Sequence, residues 1–256
     1  MRIILSPAKK MNVDTDSLPP AALPHFLPEA EVVADRLKGM SDEELQALWR
    51  CNDAIASLNV ARLRDMDLRK NLTPALLAYE GIQYQYMAPG VFERSHLQYV
   101  DERLRILSGL YGLLRPFDGV VPYRLEMQAK LKIRDANDLY SYWGDKLARQ
   151  LSAETGFILN LASREYSRAV APHLPKGVRF LTCTFGERQD GKVIEKGTIC
   201  KMARGEMVRW LAETATTDPE DIRNFSRLGY VYCGALSGAD NYVFIKETKK
   251  KGTVAE

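Results

Sequence analysis

Residues 93–116 read ERSHLQYVDERLRILSGLYGLLRP, and the fold turns on how this stretch is divided. Leu97, Val100, Leu104 and Leu107 step by 3, 4 and 3 residues, which predicts one apolar face of a helix over 93–107. Ser108-Gly109 stops it. Gly109 and Gly112 then bracket a tight turn, followed by apolar residues, Arg115 and Pro116. Glycines let a backbone approach a ligand closely, and a guanidinium binds phosphate oxygens as a bidentate fork. The pattern predicts a helix-hairpin-helix-like element over 97–118, with Gly109, Gly112 and Arg115 at a phosphate. It departs from the usual h-G-h-G turn, because its glycines stand three apart instead of two. Pro116 also constrains where a second helix begins. The plainer alternative is a helix capped by Gly109 and an ordinary turn.

Outward from this stretch, RIIL (2–5), FILNL (157–161) and VRFLTCTF (178–185) read as buried strands. Asp190-Gly191 is a hairpin signal leading into the strand text KVIE, and GYVYC (229–233) with YVFIK (242–246) forms a final hairpin. Helices are expected at 29–38, then from the capping-box pair Ser41 and Glu44 towards Met66, and from Thr73-Pro74 to near Gly81. Leu139, Trp143, Leu147 and Leu151 give a helix over 137–151 with Asp138 as N-cap. Ser163 opens a short helix, and 200–215 turns Ala203, Met207, Trp210 and Leu211 inward. No repeat or low-complexity linker divides the chain. The expected fold is α+β, a single compact domain over 1–256 with a mixed sheet surrounded by helices. Strands and helices alternate too irregularly for a doubly wound sheet.

Composition narrows the function classes. The chain has 256 residues, 46% hydrophobic and 27% charged, enough for a core without disulfides or metals. No apolar run reaches the roughly 18 residues of a membrane span. The start MRIILSPAKK lacks the layout of a signal peptide, so a cytoplasmic protein without a membrane partner is expected. Net charge is only +3, but Lys and Arg cluster in 124–134, in 196–209 and in the tail at Lys249–Lys251. If such segments meet on one face, the local field is strongly positive. Four scattered cysteines and three histidines match no metal-ligand spacing, so no metal or other cofactor is expected.

Four short constellations carry possible chemistry. Ser6-Pro7-Ala8-Lys9 has the S-x-x-K form of penicillin-binding enzymes, but the S-D-N and K-T-G that accompany it are missing. The plainer expectation is a strand end presenting a hydroxyl, Lys9 and Lys10 to an anion. Arg124 and Glu126 stand two apart in PYRLEM, spaced to pair on one side of a strand. Asn160, Ser163, Arg164 and Tyr166 fall where a strand ends and a helix opens, a place that attracts anions. Lys201 and Arg204 lie at i, i+3 and can point to one phosphate track. Gly205 within the same helix costs about 1 kcal/mol relative to Ala, which signals close approach of another backbone or a ligand.

Taken together, IILSPAK (3–9), LSGLYGLLRPFDGVVPYRLEM (107–127), DLYSYWGD (138–145), NLASREY (160–166) and KMARG (201–205) resemble the YaaA family of bacterial peroxide-stress proteins. The resemblance implies a cytosolic protein of the hydrogen peroxide response that helps keep free iron low. It also implies an α+β fold with a positively charged DNA-binding cleft, and a helix-hairpin-helix-like element at 97–118. On that footing the expected partner is double-stranded or branched DNA, held by phosphates with little sequence preference. The expected contacts are Lys9, Lys10, Gly109, Gly112, Arg115, Arg124, Asn160, Ser163, Arg164, Lys201 and Arg204. The alternative is an enzyme on a phosphate-bearing or nucleic-acid substrate in the same cleft. There Glu126 or Glu165 would be the general base and Lys9 or Arg204 the oxyanion stabiliser. No protein partner can be inferred, and neither the loop 11–28 nor the basic tail receives a role.

Overall fold

The N-terminal run Ile3-Ile4-Leu5 is wholly buried in the computed structural model, which describes residues 1–189 and 192–246. Strands covered on both faces read as continuous apolar text, and this one is the centre of the main sheet. The sheet comprises β1 (Arg2–Leu5), β2 (Leu104–Ser108), β3 (Gly112–Leu114) and β4 (Phe157–Asn160). It continues with β5 (Arg179–Gln189), β6 (Lys192–Ile194), β7 (Tyr230–Tyr232) and β8 (Asn241–Lys246). Their spatial order is β7-β8-β5-β4-β1-β2-β3, with β6 paired to β5. The five central strands are parallel, whereas β3, β6 and β7 pair antiparallel with β2, β5 and β8. A single domain with a mixed sheet is therefore observed. Asp190-Gly191 and the Lys249–Lys251 tail lie outside the described residues, but Gln189 pairs with Lys192 across the former.

The helices are α1 (Leu27–Lys38), α2 (Asp42–Trp49), α3 (Asp53–Arg64), α4 (Ile82–Met87) and α5 (Arg94–Arg103). They continue with α6 (Leu139–Trp143), α7 (Lys146–Glu154), α8 (Arg164–Ser167) and α9 (Gly197–Glu213). Ser41 and Glu44 make the expected capping box, and Asp138 accepts the Ser141 N–H at 2.8 Å as N-cap. The helix expected over 137–151 breaks at Gly144, whose φ of +49° separates α6 from α7. Thr73-Pro74 bridges to Gly119–Val120 and is followed by one helical turn, Ala75–Ala78.

The opening stretch is corrected most. The helix ends at Arg103, and 104–114 is a β-hairpin, with Ile106 opposite Leu114 and Ser108 opposite Gly112. All of Leu104–Ser108 is buried, so an apolar residue falls wherever the sheet needs one, and the helical stepping is fortuitous. Arg105 sits in this run at 4% exposure. Glu154 at 2.8 Å and the carbonyls of Asp101 and Leu104 neutralise and satisfy it. Gly109 is needed because a Cβ there would lie 2.6 Å from the Leu125 carbonyl oxygen, and its own carbonyl accepts the Trp143 indole N–H at 3.1 Å. Gly112 has φ +72° and faces the same indole ring. Both glycines are buried, so neither presents its backbone to a phosphate, and no helix-hairpin-helix stands at 97–118. Two helices do meet at a short turn in α2–α3, but there the turn Arg50-Cys51-Asn52 has no glycine.

The topology creates one special place. From β1 the chain moves to β2 on one side, then crosses back to lay β4 against the other side of β1. Segments leaving the carboxyl ends of β1 and β4 diverge, and open α/β sheets hold ligands in the crevice at such a switch point. The parallel centre is not legible in the sequence because of the intervening span 6–103, which carries α1 to α5 and the helical turn Ala75–Ala78 before the second strand.

A candidate anion site at the carboxyl ends of β1 and β4

Ser6 follows β1 and Ser163 follows β4, and the two meet in the crevice. The Ser163 backbone N–H donates to the Ser6 hydroxyl oxygen at 2.8 Å, and the Ser6 hydroxyl donates to the Ser163 side chain at 3.2 Å. The Ser6 carbonyl is held by the Gln83 amide at 2.9 Å and the Tyr84 hydroxyl at 3.1 Å, both from α4. Around this seam lies a cavity of about 420 Å³. Its walls come from the β1 exit (Ser6–Lys10), the start of α4, the segment Tyr123–Glu126, the β4 exit with α8, and Lys201 and Arg204 on α9. A second hollow of about 710 Å³ shares Lys9, Arg124 and Glu126 with it and adds Arg50 and Lys130.

The charges are unevenly satisfied. Glu126 Oε1 takes Lys9 Nζ at 2.7 Å and lies 3.7 Å from an Arg124 terminal nitrogen. Lys10 pairs with Glu80 at 2.8 Å. Arg204 approaches Glu195 only to 3.7 Å. The side chains of Arg124 and Arg204 are 11% and 14% exposed, and the buried Nε of each finds no acceptor among the described residues. A buried donor without a partner costs roughly 1–3 kcal/mol, more when charged; Arg103 Nε, at a hollow on the far end of the sheet, shares this state with Arg124 and Arg204. Glu165, also on the wall, has its carboxyl pushed above the ordinary range, first by burial and then by the Glu126 charge. The backbone N–H of Gln128 and the charge of Lys9 oppose this. Tyr123 reaches under the cavity into a buried chain, with its hydroxyl 2.8 Å from that of Tyr79 and 2.7 Å from that of Ser108. Burial raises its phenol to about 12.

Of the anticipated contacts, Lys9, Lys10, Arg124, Ser163, Lys201 and Arg204 line this cavity. Five do not. Gly109 and Gly112 are packed inside the β2–β3 hairpin. Arg115 follows β3, which runs antiparallel to β2, and so stands at the opposite end of the sheet, in a hollow with Arg2, Arg103 and Arg105. Its backbone N–H donates to Asp118 at 2.8 Å. Asn160 is buried within the sheet, where its amide donates to Thr182 at 3.2 Å and its oxygen accepts the Ala162 N–H at 3.0 Å. Arg164 is exposed on α8 and is absent from the cavity wall.

Gly205 is explained by backbone rather than ligand. A Cβ there would fall 1.9 Å from the Gln83 carbonyl oxygen, so the glycine lets α9 press on α4 and bring Lys201 and Arg204 to the cavity. The apolar wall residues Pro7, Ile82 and Leu125 were not foreseen. The one signal was Gly205 itself, which announced a close neighbour without naming α4.

The S-x-x-K expectation finds no support in the geometry, since the Ser6 hydroxyl is committed to Ser163 and Lys9 to Glu126. Among the described residues, no group of three or more His, Cys, Asp or Glu side chains is placed to hold a metal ion, and no helix is long and apolar enough to cross a membrane.

Fold and site together define an α/β protein with a basic, partly unsatisfied cavity at the switch point of its sheet. Residues 1–236 match the family model described as peroxide stress protein YaaA, and the chain belongs to that family. It is similar to a UPF0246 protein of Agathobacter rectalis, 53% identical over 244 residues that cover 95% of this chain and 98% of that one. A UPF0246 protein of Desulfitobacterium hafniense is 53% identical over 251 residues, covering 98% and 100%. One of Lachnoclostridium phytofermentans is 50% identical over 246 residues, covering 96% of each chain.

Proposed function

We propose that this peroxide-stress protein works in the cytoplasm by binding DNA through phosphates, with the strand laid across the cavity and the adjoining hollow. The observation that carries the reading is the pair of guanidinium groups, on Arg124 and Arg204, that line the cavity with ion pairs no closer than 3.7 Å, beside exposed Lys9 and Lys201. Phosphate oxygens are the acceptors such guanidinium groups bind, and Arg50 and Lys130 carry positive charge into the second hollow, alongside Glu44 and Glu126. Bound DNA would be shielded where iron and peroxide generate hydroxyl radicals, which links the family's stress role to DNA without a resident metal.

The test is fluorescence-anisotropy titration of duplex and four-way-junction DNA across a salt series. Neutralising about four to six phosphates gives a log–log slope of roughly −4 to −5, and a Lys201→Ala/Arg204→Ala variant should lose about 2 from it, at any sequence. Arg115→Ala, at the far end of the sheet, should bind as the parent does. An unchanged slope in the double variant, or no binding at low salt, contradicts the reading.

A second reading draws on Glu165. A buried carboxyl with a raised pKa, facing a cavity with free guanidinium donors, is the equipment of a general acid or base beside an anion. Turnover of DNA or nucleotides by the protein, abolished in Glu165→Gln, would support an enzyme instead of a binding protein.

A further inference from the structure

A groove that only follows a phosphate backbone has no need of a nucleotide-sized pocket, yet here one adjoins it. The cavity of about 420 Å³ falls within the roughly 300–1,000 Å³ of small-ligand pockets. No duplex enters such a space, whereas one nucleotide does. Its walls are two-sided in chemistry. Pro7, Ile82 and Leu125 with the ring of Tyr166 offer apolar surface, and Arg124 and Arg204 bring guanidinium groups. Ser163 and Glu165 add a hydroxyl and a carboxyl, groups that hydrogen-bond the edge of a base. Pockets for extruded bases combine these parts: apolar or aromatic side chains for the ring, polar groups for its edge, and cations for the flanking phosphate. The cavity also shares Lys9, Arg124 and Glu126 with the open hollow, so a strand lying in the hollow passes its mouth.

We infer that the cavity receives a single unstacked nucleotide from the DNA strand held in the groove, with its base against Pro7, Ile82 and Leu125 and its phosphate on Arg124 and Arg204. This rests on the DNA-binding reading above and goes further, because it makes the protein a reader of unpaired or weakly paired positions. Extruding a base costs a few kcal/mol in an intact duplex and least at a bulge or mismatch, so preference for such sites follows from the chamber alone.

The experiment uses the full chain with three probes: a duplex, the same duplex carrying a one-nucleotide 2-aminopurine bulge, and free 2-aminopurine deoxyriboside monophosphate. The expected result is binding to the bulge about tenfold or more tighter than to the duplex, with a change in 2-aminopurine fluorescence at saturation. Ile82→Trp, which fills the chamber, should lose that fluorescence change. Salt-dependent binding of duplex and bulge with equal affinity and no 2-aminopurine response overturns the inference while leaving the DNA reading intact. Binding of the free monophosphate with no DNA binding overturns both and assigns the cavity to a soluble nucleotide. The comparison on the parent protein decides the matter even if Ile82→Trp fails to fold.

Discussion

Glu165 shares the cavity with Glu126, and its carboxyl is held above the ordinary range by burial and by that neighbour. The sign of its effect on an anion follows directly. Below its pKa the cavity lacks one negative charge; as pH rises through the pKa that charge appears near Glu126 and Lys9. DNA affinity at fixed ionic strength should therefore fall as pH climbs above the ordinary carboxylate range, and Glu165→Gln should flatten the profile. Equal pH profiles for parent and variant would remove Glu165 from the site. Cysteine chemistry fits less well with a sensing role at the two buried thiols. Burial pushes Cys183 and Cys200 above the usual thiol range, away from the thiolate that reacts with peroxide.

Helix α9 and helix α4 form the clamp that sets the cavity's width, and Gly205 is where they touch. Ala at 205 would gain about 1 kcal/mol of helix propensity. Its Cβ, though, would need the space held by the Gln83 carbonyl, whose neighbouring side chains fix the end of β1 through Ser6. Overpacking of this kind typically costs about 1–3 kcal/mol, and a backbone oxygen at 1.9 Å puts this case at or beyond the upper end. Gly205→Ala should thus destabilise the protein by at least about 2 kcal/mol net in denaturant unfolding. A neutral or stabilised variant would mean that α9 is free to move and that Lys201 and Arg204 are not fixed at the cavity. The same scale shows what local sequence conveys. Ser41 with Glu44, Asp138, RIIL and the final hairpin carry their signals within a few residues, and each stands as expected. Strand β2 does not, because a fully buried strand has no alternation, and its leucines happened to fall at helical steps.

At the scale of the whole molecule, function rests on strand order. Ser6 and Ser163 are 157 residues apart and meet only because β4 returns to lie against β1. That order sorts the basic residues into two ends, with Lys9, Arg124, Lys201 and Arg204 at the carboxyl ends of the strands and Arg115 at the other. From the chain alone Arg115 looked as suited to phosphate as Arg124. What separated them was the antiparallel return of β3, a long-range fact with no local signature. The composition that makes the chain nearly neutral overall also hid this segregation.

The central claim is that DNA lies on the cavity face, and photo-crosslinking tests it most directly. Duplex carrying a photoreactive thymine analogue would be irradiated with the full chain, and the modified peptides mapped by mass spectrometry. Adducts on the peptides that contain residues 6–10, 123–126, 163–166 and 201–204 are predicted. Adducts confined to the Arg2, Arg103 and Arg115 end would contradict it.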